Sequence, residues 1–299
     1  MPTTKVILNP YAGHWAGERL AHDIVAALRA AGVRHDLVAT EGPGHAIELA
    51  RRAREEGYEV VVAAGGDGTV NEVVNGLALA ARAEASGAVG TLGIIPIGTG
   101  NDFAEMAGIP LDVWKAAQRL AQGRTRLIDI GRVNDRYFSN ECGIGFEAQV
   151  AIEAQRLKRL RRFLVYLVAV FRALFRYRQP TMTVRWDNGQ VTQRILMVCA
   201  GNSRRAGGGF YLTPHAEVDD GLLDYLYADA LSRPEILRLL PKAMKGTHIY
   251  DPAAHLGRTT RLTVSSVAPV PVHCDGEILT MGTHHVEIEV LPASLYLIH

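Results

Sequence analysis

Two short apolar runs constrain this chain more than any other feature. Val60-Val61-Val62-Ala63-Ala64 stops in Gly65-Gly66-Asp67-Gly68-Thr69, and Leu92-Gly93-Ile94-Ile95-Pro96-Ile97 stops in Gly98-Thr99-Gly100-Asn101-Asp102. Each run reads as a buried strand, and helix-like sequence follows each polar turn. Glycines directly after a strand let backbone approach a ligand closely, and the amides that open the next helix favour an anion.

The surrounding pattern agrees. Lys5–Leu8 is a short strand ended by Asn9-Pro10. Residues 17–31 place Leu20, Ile24, Ala27, Leu28 and Ala31 on one helical face, and Gly32 stops that helix. Arg34–Ala39 reads as a strand, Ala46–Glu56 as a helix, and Val70–Ala83 as the helix after the first glycine turn. Strands alternating with helices at this spacing imply a parallel sheet, with ligands at the carboxyl ends of its strands. From Leu127 the rhythm changes to short strands: 128–133, 136–140, 181–186, 193–200, 222–228, 260–266, 270–274 and 285–291. Asp187-Asn188-Gly189 marks a hairpin between two of them. The expected organisation is an α/β domain over residues 1–126 and a largely antiparallel β domain over 127–291.

Composition narrows the function by exclusion. A net charge of +1 in 299 residues favours no charged partner class, and nucleic acid is not expected. Cys142, Cys199 and Cys274 are odd in number and far apart, so they read as buried reduced thiols. The first residues run straight into a strand without a signal peptide, and no apolar stretch reaches the roughly 18–20 residues of a membrane span. A cytoplasmic location is expected.

The turn chemistry has two readings. The first glycine loop lacks the lysine of a P-loop, and Asp67 would oppose a bare phosphate. Either Asp67 caps a helix, or Mg²⁺ or a nucleotide's donors relieve the conflict. Thr40-Glu41-Gly42-Pro43-Gly44-His45 is a third polar loop after a strand. Three such loops at neighbouring strand ends describe a nucleotide site. Asp275-Gly276-Glu277 sets two carboxylates around a glycine, as a type I′ hairpin turn with solvated charges or as acid–base groups. Val218-Asp219-Asp220-Gly221-Leu222 reads as an acidic β-turn. Residues 155–178 carry eight basic side chains and no acidic one, among them Arg156, Lys158, Arg159 and Arg161, around an apolar centre. That segment fits a helix lying on anionic lipid, or one packed on the β domain with its cations at one end.

The ordered set TEGPGHAIELA, GGDGTVNEVVNGL, PIGTGNDFA, FSNECGIGFEAQV, GNSRRAGGGF, VDDGLLD and VHCDGEIL closely resembles the diacylglycerol kinase and sphingosine kinase superfamily, above all its bacterial soluble lipid kinases. The resemblance implies a Rossmann-like α/β nucleotide domain and a β-sandwich with the active site in the cleft between, and residues 292–299 returning to the first domain. It implies ATP phosphates held by Gly65, Gly66, Asp67, Gly68, Thr69, Val70, Asn71 and Thr99, with Thr40 and Asn9 close by. Tyr11, His14 and Trp15 depart from the small residues usual in the turn after Asn9. It implies Glu277 as general base, with Asp275 supporting it or binding metal. A structural Mg²⁺ is implied on the Asp220 side chain and the Glu217 and Leu222 carbonyls.

The resulting expectation is an ATP- and Mg²⁺-dependent kinase acting on a lipid hydroxyl, diacylglycerol first, with transient membrane-surface contact through 155–178 and a homodimer left open. A NAD kinase-like phosphotransferase shares the GGDG loop and a Ser139-Asn140-Glu141 segment, but the GTGNDFA loop and the basic apolar helix favour the lipid kinases. A non-catalytic nucleotide- or lipid-binding protein of the same fold is the alternative from another class. Against it, Asp67, Asp220, Asp275 and Glu277 are all retained.

Overall fold

The computed structural model describes residues 4–84, 87–157, 162–205, 207 and 209–299. Lys158, Arg159, Arg161 and Gly208 lie outside them. The first half alternates β1 (Thr4–Leu8), α1 (Ala12–Ala30), β2 (His35–Ala39), α2 (His45–Glu55), β3 (Val60–Gly65), α3 (Asp67–Glu84) and β4 (Thr91–Pro96), then α4 (Asp102–Met106) and α5 (Val113–Gln122). The strands pair in parallel in the order β4-β3-β1-β2. Both faces of this sheet are covered, which explains the uninterrupted apolar run in β3. Val61 and Ala63 pack with Val73, Val74 and Leu77 of α3. Val60, Val62 and Ala64 face Ile24 and Leu28 of α1 and Ala117 of α5.

The second half runs β5 (Thr125–Val133), β6 (Arg136–Phe138), β7 (Glu141–Gly145), α6 (Phe146–Gln155), α7 (Arg162–Arg176), β8 (Thr181–Trp186), β9 (Gly189–Gly201), β10 (Leu223–Asp229), α8 (Arg233–Met244), β11 (Ala254–Thr259), β12 (Arg261–Cys274) and β13 (Glu277–Ile298). Pairing among β5–β12 is antiparallel, and β8 and β9 meet at Trp186↔Gly189 across the Asp187-Asn188 turn. Segments 260–266 and 270–274 are one strand, β12, with register shifts between Ser265 and Val270. β13 crosses the molecule: it pairs with β12 and β5, and at Tyr296↔Thr91 and Leu297↔Leu92 it joins β4 in parallel.

Sequence periodicity does not foresee β7, β11, α5, α6 or α8. β7 (Glu-Cys-Gly-Ile-Gly) has too little β propensity to stand out, and α6 is buried nearly all round. α8 contains Pro241, which argues against a helix, yet Ser232 and Glu235 form a readable capping box, with Ser232 N donating to Glu235 Oε2 at 2.8 Å.

Candidate active site

The two glycine turns stand back to back at the ends of β3 and β4. A Cβ at Gly98 would lie 2.3 Å from the Gly66 Cα, so only glycine allows this approach. Asn101, itself at φ +55, ties off Gly98 by accepting from its N at 2.9 Å and donating to its O at 3.0 Å. Asn9 at the end of β1 donates from Nδ2 to Thr69 Oγ1 at 3.0 Å. Thr40 at the end of β2 donates its N to Leu8 O at 2.8 Å. These strand ends enclose a cleft of about 590 Å³ lined by Asn9, Thr40, Gly66, Gly68, Thr69 and Thr99, and Glu277 enters it from the second half of the chain.

Gly65 lies beneath the cleft, its Cα against the Thr69 side chain. Val70 and Asn71 are placed elsewhere than expected. Val70 is core, and its N donates to Gly66 O at 3.0 Å inside α3, leaving no amide for a phosphate. Asn71 is fully buried, with Nδ2 3.0 Å from Tyr137 O and 2.9 Å from Asp275 Oδ2. Helical phase turns both side chains away from the loop. Asp67 Oδ1 accepts from Phe103 N at 3.0 Å, capping α4 rather than its own helix. Tyr11 and Trp15 are exposed and meet edge-on, and Gly13, His14 and Trp15 all hold positive φ.

Asp275 and Gly276 connect β12 to β13 with φ +45 and +83, the signature of a type I′ turn. The turn reading is right, but the Asp275 charge is not solvated. Oδ1 accepts from Asn140 N and Glu141 N, each at 2.9 Å, and Oδ2 accepts from Ser139 N at 2.8 Å, Ser139 Oγ at 3.0 Å and Asn71 Nδ2 at 2.9 Å. Burial raises the Asp275 pKa while these donors oppose it. With every lone pair committed, Asp275 is a clasp between α3 and the β6–β7 turn, and it has no oxygen to spare for a metal. Glu277 Oε2 accepts from Arg136 Nη2 at 3.0 Å. Burial raises its pKa first, then the nearby Glu72 carboxylate, and Arg136 pulls the other way.

A second cavity, of about 430 Å³, opens on the other side of these turns. Phe146, Val150, Leu196, Leu226, Ile236 and Leu240 make its body apolar, while Asp67, Asn140, Glu141 and Asp275 sit at one end. The first glycine turn and the 275–277 turn therefore form the wall shared by the two cavities. Gly66, Gly68 and Glu277 face the polar cleft; Asp67, Asp275 and Gly276 face the apolar one. Arg205 braces the junction, with Nε 3.1 Å from Asp102 Oδ1 and Nη1 2.5 Å from Glu105 Oε2.

The acidic turn expected to hold a cation lies apart from that wall. Asp220 Oδ1 accepts from Leu222 N at 3.0 Å; its Oδ2 is buried without a hydrogen-bond partner, 3.6 Å from Arg258. Asp129 fastens the turn, accepting from Gly221 N at 2.6 Å and from Ala293 N at 2.7 Å. Burial pushes the neighbouring Asp224 up to about 6. A carboxylate oxygen without a hydrogen bond, facing the Arg258 guanidinium among acidic neighbours, suits a hard cation that would compete with that guanidinium. Glu217 is exposed.

Several working residues escape sequence reasoning. Glu72 sits in the first glycine motif, yet its role is to accept from Gly44 N and Ala46 N at 2.8 and 3.0 Å, capping α2 beneath the cleft. Arg136 meets Glu277 only through the fold, and nothing in the sequence links them.

A glycine-lined polar cleft and an apolar cavity thus share a carboxylate-bearing wall, an arrangement suited to bringing a phosphate donor beside an apolar acceptor. The chain matches the model of the diacylglycerol kinase catalytic domain over residues 3–133 and that of the YegS C-terminal NAD kinase beta sandwich-like domain over residues 140–299. A diacylglycerol kinase of Staphylococcus saprophyticus is 31% identical over 274 residues, spanning 91% of this chain and 88% of the relative. One from Staphylococcus carnosus is 30% identical over 275 residues, with 91% and 88% covered. A crystal structure of a Bacillus anthracis protein superposes with a TM-score of 0.80 at 25% identity, covering 100% of this chain and 97% of that one. The chain belongs to the diacylglycerol kinase family of lipid kinases.

Proposed function

We propose that the protein transfers the γ-phosphoryl group of ATP to the hydroxyl of diacylglycerol, giving phosphatidic acid. The observation that carries this reading is the shared wall: a polar cleft suited to phosphates and an apolar cavity suited to acyl chains meet at the 66–69 and 275–277 turns. ATP phosphates lie against Gly66, Gly68, Thr69 and Thr99. The acyl chains lie along Phe146, Val150 and Leu226, and the hydroxyl reaches the carboxylate end. Glu277, its pKa raised, accepts the hydroxyl proton as the oxygen attacks the γ-phosphorus and the bond from that phosphorus to the bridging oxygen breaks, releasing ADP. Asp275 fixes the turn that carries Glu277. Asp67 faces the apolar cavity itself and is the second candidate for the base. Mg²⁺ would offset the phosphate charge in such a transfer. A second, structural Mg²⁺ fits the Asp220 turn, with Glu217 and Leu222 supplying carbonyls.

The basic helix supports contact with a membrane surface. Ala169, Val170, Ala173 and Leu174 of α7 are buried, whereas Leu167, Phe171 and Phe175 are exposed at a spacing of four residues, with Arg172 beside them. Arg176 and Arg156 instead pair with the buried Glu153, at 2.8 and 3.1 Å. Among the described residues no helix is long and apolar enough to cross a membrane. The test incubates purified protein with γ-labelled ATP, Mg²⁺, NAD and diacylglycerol in mixed micelles. Label in an extractable lipid product is expected; label on NAD alone, or no transfer at all, overturns the proposal.

A further inference from the structure

At the polar end of the apolar cavity, Glu141, Glu147 and His273 form a cluster with Cys199 to which the proposed phosphoryl transfer assigns no proton or phosphate. Gly143 of β7 pairs with His273 of β12 on one side and Cys199 of β9 on the other. Directly paired residues point to the same sheet face, so the missing side chain leaves a hole between an imidazole and a thiol. Glu141, two residues earlier on β7, points to that same face. Glu147 drops in from the first turn of α6: a Cβ at Gly143 would stand 2.5 Å from Glu147 Oε2 and 2.3 Å from His273 Nε2. Any larger residue at position 143 would abolish the arrangement.

We propose that Glu141, Glu147 and Cys199 bind one thiophilic divalent cation of the Zn²⁺ class, with the unpartnered His273 imidazole lying beside Glu147 to take up its second oxygen when the ion binds. A carboxylate oxygen from each glutamate and Cys199 Sγ lie within 4.8 Å of one another. In a tetrahedral site, ligands at about 2.0–2.3 Å from the ion stand about 3.3–3.8 Å apart; Cys199 Sγ already lies 3.4 Å from Glu141 Oε2, and Glu147 closes the remaining gap by a rotamer change. The second observation is unmet demand. Both ring nitrogens of His273, which is 4% exposed, lack a hydrogen-bond partner, as does Glu147 Oε2. His273 Nε2 stands 3.6 Å from Glu147 Oε1, too far for a hydrogen bond. Thiolate with carboxylate selects Zn²⁺ or Co²⁺ over Mg²⁺. The site stands whether or not the chain phosphorylates lipid.

The experiment titrates chelator-treated, full-length protein with Co²⁺ and follows the thiolate-to-cobalt charge-transfer band. One equivalent is expected to produce the band, Zn²⁺ to erase it, and excess Mg²⁺ to leave it. Cys199→Ser loses the band, whereas Cys142→Ala, on the opposite face of the same sheet, keeps it. Glu147→Gln weakens binding at least tenfold and His273→Asn by about 10–100-fold, each with an intact thermal melt. Absence of the band in the unmodified protein, its persistence in Cys199→Ser, or unchanged affinity in both Glu147→Gln and His273→Asn overturns the proposal.

Discussion

Replacing Asp275 by Asn tests whether this residue is a clasp or a chemical group. The substitution keeps Oδ1, and with it the bonds from Asn140 N and Glu141 N. It puts an amide NH₂ where Oδ2 accepted from Ser139 N and Asn71 Nδ2. The Ser139 hydroxyl can turn around and accept, but the other two donors then face a third. A buried donor left unsatisfied costs about 1–3 kcal/mol, so the loss should be on the order of 2–6 kcal/mol. Burial of the charge, which raises the Asp275 pKa, is relieved in Asn and places the result toward the lower end. Urea denaturation followed by far-UV circular dichroism and by tryptophan fluorescence measures it, with agreement of the two probes required before a single free energy is taken. A cycle pairing Asp275→Ala with Asn71→Ala should show a coupling of about 0.5–3 kcal/mol, because their bond joins α3 to the β12–β13 turn. Stability of Asp275→Asn within about 0.5 kcal/mol of the parent would refute the clasp, since ordinary surface substitutions fall in that range.

Glu277→Gln should abolish turnover in the micelle assay while leaving the thermal melt in place; equal loss in Asp67→Asn with normal rates in Glu277→Gln would move the base to Asp67. The raised Glu277 pKa places the acid limb of the rate profile above the ordinary value of 4.5, since the base works only when ionised. Arg136 favours that ionised form, so Arg136→Met moves the limb to higher pH, and a limb moving lower contradicts the assignment. Mg²⁺ at a hundred times its Kd should stabilise the protein by about 2.7 kcal/mol, an increment read by thermal shift and lost in Asp220→Asn. Leu167→Glu with Phe171→Glu should reduce cosedimentation with anionic vesicles, because both side chains stand on the exposed face of α7.

The parallel half was legible because its signals are local. β3 and β4 carry apolar side chains on both faces, and each stops at a glycine turn, so strand, turn and helix follow from neighbouring residues. The 98–102 and 65–69 loops were recognisable as polar glycine turns for the same reason, whereas Asn9 joined them only through the family resemblance; the fold lines one cleft with Asn9, Thr40, Thr69 and Thr99. Val70 and Asn71 were assigned to phosphate because they continue the motif, whereas helical phase aims them into the protein.

What the amino-acid order determined by itself was the class of fold, the family, and the turns that carry charge. Propensity, periodicity and glycine placement act over a few residues and survive without tertiary context. Only the tertiary structure decided what each charge does. Asp275 turned from a solvated turn residue into a five-bonded clasp because Asn71 and Ser139–Glu141 arrive from 134 or more residues away. Glu277 acquired Arg136 and Glu72 as neighbours in the same way. Likewise, Gly143 became the floor of a polar hole because β9 and β12 bring Cys199 and His273 to its two sides. Burial and partner set a carboxylate's role, and both are properties of packing between segments distant in the chain.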